Sequence, residues 1–99
     1  MFDKMMDQMQ EQTKAIEKKL ETMILTEEAE DGLVIVKISG NKRITDIIIS
    51  PEIADDLDAV SDLTTVTVNR AIEKAEQLHE KEMDAVAQEM MPGFEDLLN

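Results

Sequence analysis

The sequence predicts an α+β fold in which a helix, a three-stranded antiparallel β-meander and a long second helix follow one another along one small domain. Three observations predict it. Residues 33–51 alternate in the manner of β-strands and are rich in β-branched side chains. The segments on either side repeat apolar residues at steps of three and four, as helices do. Residues 52–91 also lack Gly and Pro, the residues that most often interrupt a helix.

The first helix is predicted at residues 1–23. Its apolar positions recur at the heptad spacing of a helix that buries one side, and charged side chains occupy the flanks. A helix of roughly twenty residues is about 30 Å long, which is more than a three-stranded sheet of ordinary size covers. We therefore expect its far end to pack against another helix, of this chain or of a second copy. The heptad positions are Phe2, Met6, Met9, Thr13, Ile16, Leu20 and Met23.

The β-meander is predicted at residues 24–50. A short first strand starts at Ile24, and its acidic end suits the edge of a sheet, where charge discourages unwanted pairing. Asp31–Gly32 is a turn dipeptide placed before the second strand. Residues 33–51, LVIVKISGNKRITDIIISP, then have the pattern of a β-hairpin. We expect Gly40–Asn41 to supply the positive φ angles of its turn.

The long helix is predicted at residues 56–91, followed by a tail at residues 92–99 that begins with the helix-breaking pair Pro92–Gly93. The run Thr64–Val68 is β-branched throughout and would favour a strand on its own. It lies between helix-compatible residues with no turn signal on either side. We therefore expect it to be helical.

Acidic residues at the start of the long helix are interpreted as helix caps. Asp55, Asp56 and Asp58 lie where caps and first-turn acids offset the positive end of the helix dipole, and the Gly and terminal Glu of a calcium loop are missing. Glu76 and His79 have the spacing of a metal-binding helix motif, but the facing heptad positions offer no carboxylates. Since no nucleophile with a paired base and no Gly-rich phosphate loop is discernible, we predict no enzymatic activity, no cofactor and no metal.

The composition favours a reducing compartment and burial between subunits. The chain has no Cys, which excludes a disulfide framework, a Cys-based metal site and a Cys nucleophile. With two Phe, no Trp and no Tyr, the core must depend on Met, Ile, Val and Leu, and a homodimer is favoured. The sequence shows neither an apolar signal core nor a run long enough to span a membrane. We expect a cytoplasmic protein.

Charge is unevenly distributed along the chain. The net charge is −13, but residues 33–51 contain three basic side chains and only one acidic side chain. Nucleic-acid-binding domains usually neutralise phosphates with clustered Lys and Arg, so the composition alone argues against such a function. Lys42 and Arg43 at the hairpin turn are the best local candidates for phosphate contacts, although a solvated turn is the simpler interpretation of the same residues.

Several strings of the sequence together resemble the YbaB/EbfC family. They are MMDQMQEQTKAIEKKLETM in the first helix, DGLVIVKISGNKRITDIIISPEI in the centre, VNRAIEKAEQLHEKEM in the long helix and the closing MPGF. They cover nearly the whole chain in the order of the family. The combination of Gly32, Gly40, Ser50–Pro51 and Pro92–Gly93 carries the resemblance more than any one string does. Ser50 is a departure, because relatives often have Asp before this Pro.

The resemblance implies a small bacterial nucleoid-associated protein that binds DNA without catalysing a reaction. It also implies a homodimer whose paired long helices project like tweezers. DNA binding is expected to be weak and without strong sequence specificity, because the acidic chain repels a polyanion. The alternative function is that of an acidic, dimeric protein-binding adaptor similar to a small secretion chaperone, whose Met-rich faces accept apolar segments of partners. No membrane association is expected.

The predicted contact residues form two groups. Those for DNA are basic residues of the centre and of the long helix, namely Lys37, Lys42, Arg43, Arg70 and Lys74. Those for the dimer interface are apolar positions of both helices, namely Met6, Met9, Ile16, Leu20, Met23, Ile72, Met83 and Val86.

Overall fold

The computed structural model describes residues 2–90 of the chain. Its elements follow the order helix, three antiparallel strands, long helix, which confirms the predicted αβββα fold. Residues 91–99, with the predicted helix end at Pro92–Gly93 and the tail, lie outside the described residues. The elements are α1 (Phe2–Glu21), β1 (Ile24–Ala29), β2 (Val34–Ser39), β3 (Ile44–Ile49), a 3₁₀ turn (Pro51–Ile53) and α2 (Leu57–Met90).

The core lies between one face of the sheet and α2. The sheet is antiparallel with the strand order β1-β2-β3, so β1 is an edge strand, as its acidic end predicts. Val34, Val36 and Ile38 on β2 are all 0% exposed and pack against Ala71 and Ala75 of α2. Because Ala has a small side chain, the backbone of α2 can approach the strands closely. The margins of the core are Leu25, Ile53, Leu63, Val68 and Ile72.

Helix α2 covers β1 and β2 but leaves most of β3 uncovered. Every residue of β3 is exposed, and its four isoleucines keep 38–43% of their accessible surface. A β-bulge at Thr45 interrupts the pairing with β2, because Asp46 lies opposite Lys37 whereas Ile44 lies opposite Ile38. Strand β3 is therefore an edge strand that presents apolar side chains on both of its faces.

The β-branched run Thr64–Val68 is helical in the structure. The hydroxyl of Thr67 donates to the carbonyl of Leu63 at 2.6 Å, which satisfies a polar side chain that is 0% exposed against the sheet. At the beginning of α2, the carboxylate of Asp56 accepts the N–H of Ala59 at 3.1 Å. This bond confirms the capping role of Asp56, one member of the acidic cluster.

Helix α1 packs on the C-terminal half of α2, and the protomer is accordingly elongated, with dimensions of 62 × 28 × 16 Å. Among the α1 residues whose burial the structure describes, Ile16 and Leu20 are buried, at 7% and 0% exposure. Ile16 lies against the part of α2 that contains Ala85 and Val86. We call α1 together with residues 76–90 of α2 the helical arm.

One side-chain hydrogen bond and one ion pair join the helices of the arm. His79 Nε2 lies 2.7 Å from Glu17 Oε1, and Lys19 Nζ donates to Glu82 Oε2 at 3.0 Å. All four side chains keep some exposure, and such pairs typically stabilise a protein by about 1 kcal/mol or less. The arm therefore depends mainly on the apolar contacts of Ile16 and Leu20.

Gly40 fastens the β2–β3 turn to the end of α1. Its N–H donates to the carbonyls of Leu20 at 2.9 Å and Met23 at 2.8 Å. A Cβ at this position would lie 2.9 Å from the Leu20 carbonyl oxygen and 2.9 Å from Leu20 Cδ2. The sequence-based reason for Gly40 was wrong, because the positive φ of the turn belongs to Lys42, at 69°, and to neither Gly40 nor Asn41. Gly40 is required for its small size.

We predict that Gly40→Ala lowers the free energy of unfolding by about 1–3 kcal/mol, because the added methyl group must displace the end of α1. Urea denaturation measures the loss. Hydrogen exchange should show faster exchange of the amides at the end of α1. Gly32→Ala is the comparison. A Cβ added there would meet nothing within 4 Å, and the φ of 86° would confine the strain to the backbone of that residue. An unchanged urea midpoint for Gly40→Ala would contradict the close contact.

Candidate nucleic-acid interface

The turn between β2 and β3 is built on Ser39, which is 3% exposed. Its N–H donates to the carbonyl of Arg43 at 2.9 Å, and its carbonyl accepts the N–H of Lys42 at 2.9 Å. Its hydroxyl accepts the N–H of Arg43 at 3.2 Å and donates to the side-chain oxygen of Asn41. This network fixes the backbone of the turn beneath the side chains of Lys42 and Arg43.

The side chains of Lys42 and Arg43 are both exposed at the tip of this turn. Among the described residues, no carboxylate forms an ion pair with either of them. Their charges are therefore free to attract an anion. Because the backbone beneath them is hydrogen-bonded to Ser39, binding an anion there requires ordering of the two side chains only.

A shallow depression beside the turn adds two basic residues that the sequence reasoning missed as contacts. Lys14 and Lys18, one turn apart on α1, line it together with Asn41 of the β2–β3 turn. This neighbourhood follows from the hydrogen bonds that hold Gly40 against the end of α1. The spacing of four residues does place both lysines on one side of a helix, but nothing in the sequence indicates that the turn lies there.

We call Lys14, Lys18, Lys42 and Arg43 the basic corner. Two carboxylates, those of Glu17 and Glu21, lie in the same depression. Glu17 is engaged by His79 at 2.7 Å. The four cations of the basic corner outnumber these two carboxylates, so the corner attracts a polyanion.

The other basic residues predicted to contact DNA lie apart. The alternation along β2 puts Lys37 on the face of the sheet away from α2, next to Thr26 and Asp46 of the neighbouring strands. Lys74 lies on the α2 side, where its Nζ donates to the Thr26 carbonyl at 3.2 Å and lies 3.6 Å from Glu27 Oε2. Arg70 is exposed one helical turn before Lys74. The structure therefore separates Lys37 from Arg70 and Lys74 by the thickness of the sheet.

The apolar residues predicted for the dimer interface are partly used within the protomer. Leu20 and Ile16 are buried within the protomer, and Ile72 packs on the core, which leaves them little surface for a second copy. Met23, Met83 and Val86 are half-buried. Met6 and Met9 are exposed, at 51% and 53%.

Other kinds of site find little support in the described part of the chain. No group of three or more metal-ligating side chains occurs among the residues from 2 to 90. His79, considered above as a partner of Glu76, contacts Glu17 of α1 instead. Neither described helix combines the length and the apolar character needed to cross a membrane.

Comparison with known proteins identifies relatives along most of the chain. Residues 1–90 match the sequence model of the YbaB/EbfC DNA-binding family. A nucleoid-associated protein of Flavobacterium johnsoniae is 34% identical over 93 residues, which cover 91% of this chain and 88% of that protein. One of Chlorobaculum tepidum is 37% identical over 89 residues, covering 87% and 80%. The crystal structure of the uncharacterized protein HP0035 from Helicobacter pylori has a TM-score of 0.81 at 19% identity and covers 87% of this chain and 92% of its own.

The Helicobacter pylori structure shows that this αβββα fold is shared. The match to the family and the identities above 30% show more: the chain belongs to the YbaB/EbfC DNA-binding family. Membership confirms the resemblance seen in the sequence. It also confirms the prediction that the protein is not an enzyme, because the family is defined by DNA binding.

We predict that Ser39→Ala loosens the turn that carries Lys42 and Arg43. The substitution removes the acceptor of the Arg43 N–H, so the free energy of unfolding should fall by about 0.5–1.5 kcal/mol. Amide exchange at Arg43 should accelerate. Ser61→Ala, an exposed position on α2, is the matched control and should show neither effect. Unchanged exchange at Arg43 would mean that the hydroxyl of Ser39 does not stabilise the turn.

Proposed function

We propose that the chain binds double-stranded DNA in the nucleoid of the cytoplasm, as a homodimer and without strong sequence specificity, through the basic corner. One observation carries the proposal: a member of a DNA-binding family with a net charge of −13 has four exposed cations beside one turn. Two of them belong to residues 33–51, a segment with three basic side chains and one acidic side chain. The relatives in Flavobacterium johnsoniae and Chlorobaculum tepidum are named nucleoid-associated proteins, which supports the same location for this chain.

The acidic charge of the chain limits how DNA can be held. A dimer carries about −26, twice the −13 of one chain. Its repulsion from a duplex is screened beyond a Debye length of about 8 Å at physiological salt. Attraction must therefore come from cations that touch phosphates directly, while the acidic surfaces stay farther away. The β2–β3 turn meets this condition, because its Lys42 and Arg43 side chains are exposed.

Because only a few phosphates are contacted, the affinity for DNA should depend only weakly on salt. For about two to four neutralised phosphates, the slope of log K against log salt is roughly −2 to −4, compared with about −10 for an extensive basic interface. Affinity should accordingly be weak at physiological salt and should rise at low salt.

The arrangement of the basic corner suits phosphates better than base edges. Its cations lie on a turn and on the flank of a helix whose neighbouring positions include Glu17 and Glu21. A helix with those carboxylates is repelled from the major groove, where sequence is read. Contacts to phosphates position a protein on the duplex but carry no direct sequence information.

The first test reverses the charges of the turn. The double variant Lys42→Glu/Arg43→Glu should bind unrelated duplexes more weakly by about the same factor, at least tenfold at low salt, because phosphate contacts are lost irrespective of sequence. Fluorescence anisotropy titrations at several salt concentrations measure this. The variant should stay folded, since both side chains are exposed.

Its control is Lys4→Glu/Lys81→Glu, which changes the net charge by the same −4 at exposed positions of the arm that do not line the depression. This control should lose much less affinity than the turn variant. Equal affinity of the turn variant and the parent at matched salt, with both folded, would refute the turn as the contact surface. Equal losses in the two variants would assign the effect to overall charge.

A second variant tests whether α1 takes part. Lys14→Gln/Lys18→Gln removes two cations of the basic corner that only the tertiary structure brings to the turn. If both contact phosphates, the salt slope should become shallower by about 2, since each phosphate contact contributes about 0.9. Lys4→Gln/Lys81→Gln is the control and should keep the parent slope. If the Lys14→Gln/Lys18→Gln variant kept the salt slope of the parent, the DNA contact would be restricted to Lys42 and Arg43.

A second candidate function, the protein-binding adaptor, is supported by one observation. Met5, Met6 and Met9 of α1 are 63%, 51% and 53% exposed among the described residues, and flexible Met side chains suit binding of varied apolar segments. Pull-down with apolar peptides tests it. A chain that retains such peptides and fails to shift DNA at low salt would favour the adaptor over the DNA-binding protein.

A further inference from the structure

Helix α1 leaves a shallow apolar groove uncovered near its beginning. Met6 and Met9 continue the heptad stripe of Ile16 and Leu20, yet they keep 51% and 53% of their accessible surface, whereas Ile16 and Leu20 are buried. The groove beside them has a volume of about 390 Å³, and every residue that lines it belongs to α1. We call it the Met groove, and its lining residues are Met6, Met9, Gln10, Thr13 and Lys14.

The described part of α2 ends close to the Met groove. In the arm, Lys19 of α1 pairs with Glu82 of α2 at 3.0 Å, and Ile16 lies beside Glu89 near the end of α2. Rising residue numbers along α2 therefore lie beside falling residue numbers along α1, so the two helices run antiparallel. At Met90, α2 is directed toward the beginning of α1, where the Met groove lies.

The rest of the sequence is long enough to reach the groove. Residues 91–99, MPGFEDLLN, lie outside the described residues, and we call them the tail. At the rise of an α-helix, Met6 lies about 15 Å from Ile16 along α1. A segment of the length of the tail spans up to about 30 Å when extended. Pro92–Gly93 disfavours a continuing helix and so permits the chain to change direction.

The composition of the tail complements the groove. Phe94 is one of the two aromatic residues of the chain, and Met side chains make favourable contacts with aromatic rings through their sulfur atoms. Leu97–Leu98 adds apolar surface. Glu95–Asp96 carries two negative charges, and the tail has no basic residue. Lys14 lines the groove and forms no ion pair among the described residues.

We propose that the tail folds back onto the Met groove of its own chain, with Phe94 against Met6 and Met9 and with Glu95–Asp96 beside Lys14. Because Lys14 also lines the depression of the basic corner, the docked carboxylates lower the positive charge of that corner. The tail thereby moderates the attraction of DNA. This last step rests on the proposed function, whereas the docking itself does not.

Tethering favours the tail of the same chain over other apolar segments. A segment joined by a short linker has an effective concentration in the millimolar range, which a free peptide rarely reaches. Another copy of the chain carries a charge of −13, so its approach is opposed by electrostatic repulsion. The tail is also acidic, but it meets the arm at Lys14, which lines the groove.

The absence of Cys permits a crosslinking test of the docking. Under mild oxidation, full-length Met9→Cys/Phe94→Cys should form an intramolecular disulfide, seen as faster migration on a non-reducing gel and loss of free thiol. The control is Glu11→Cys/Phe94→Cys, because Glu11 is exposed and lies about 200° around the helix from Met9. Its disulfide should form at least ten times more slowly.

Two results of the crosslinking test would overturn the docking. Equal rates in the two variants would mean that the tail does not prefer the Met groove. A covalent dimer formed by Met9→Cys/Phe94→Cys in place of the intramolecular disulfide would assign the groove to the tail of a second copy.

Nuclear magnetic resonance of the full-length protein gives a measurement without cysteines. With ¹³C-labelled Met methyl groups, the ring protons of Phe94 should show nuclear Overhauser contacts to the methyl groups of Met6 and Met9. Phe94→Ala should shift both methyl signals and leave that of Met83, which is half-buried on α2, unchanged. Unshifted Met6 and Met9 signals would contradict the docking. An apolar peptide that bound the parent as tightly as Phe94→Ala would show that the groove is free for other proteins, which would also overturn it.

DNA titrations at low salt test the moderating role. Glu95→Gln/Asp96→Asn should raise the affinity for DNA about two- to fivefold, the range that corresponds to one exposed ion pair. Asp58→Asn/Asp62→Asn is the matched control, because it removes the same charge at exposed positions near the beginning of α2, and it should raise the affinity less. Equal gains in the two variants would assign the effect to overall charge and overturn the moderating role.

Failure of the docking and failure of the proposed function give different results. If the crosslink and the contacts of Phe94 were observed while neither the parent nor any variant bound DNA, the proposed function and the moderating role would fail and the docking would be supported. If DNA bound the parent while the crosslink and the contacts were missing, the docking would fail and DNA binding would stand.

Discussion

The packing of α2 on two strands of a three-stranded sheet is the interaction on which the rest of the structure depends. Val34, Val36 and Ile38 lose all exposure against Ala71 and Ala75, and burying a Val or Ile side chain typically contributes about 1.5–3 kcal/mol. Because α2 covers β1 and β2, it leaves β3 open as an apolar edge. Because α2 is longer than the sheet is wide, its C-terminal half extends into the arm and provides the surface that α1 covers.

The contact between Gly40 and the end of α1 brings the residues of the basic corner together. It holds the β2–β3 turn against α1, so that Lys14 and Lys18 share a depression with the turn that carries Lys42 and Arg43. In a chain with an excess of 13 negative charges, attraction of a polyanion depends more on where the cations cluster than on how many there are. The same hairpin thus has a basic tip and a neutral edge. We propose that the tip contacts DNA.

The sequence predicted the order of elements because the local patterns were strong. Alternation identified the buried residues of β2, and the lack of any helix breaker outweighed the β-branched run Thr64–Val68 within α2. Periodicity shows which face of a helix is apolar but not what covers it. Ile16 and Leu20 were therefore predicted for a subunit interface, yet both are already buried within one protomer. The exposure of β3 could not be foreseen either, since Ile47 and Ile49 look like core residues in the sequence.

Only two of the four residues of the basic corner could be predicted from the sequence. Lys42 and Arg43 are adjacent in the sequence, whereas Lys14 and Lys18 join them only through the tertiary contact of Gly40. The sequence identified Gly40 as a turn residue, but a left-handed backbone was the wrong reason, because close approach to Leu20 is what excludes a side chain. Steric requirements between distant elements of this kind leave no trace in a local pattern.

Mapping amide chemical shifts of the ¹⁵N-labelled protein during titration with a short DNA duplex at low salt tests the central claim most directly. The account predicts that the largest shifts fall on residues 14–18 and 39–43, and that they are similar for duplexes of unrelated sequence. Amides at the exposed start of α1 and at the end of the described α2 should change little. Shifts concentrated in those parts of the arm, or on the face of the sheet around Lys37, would contradict the basic corner as the surface that holds DNA.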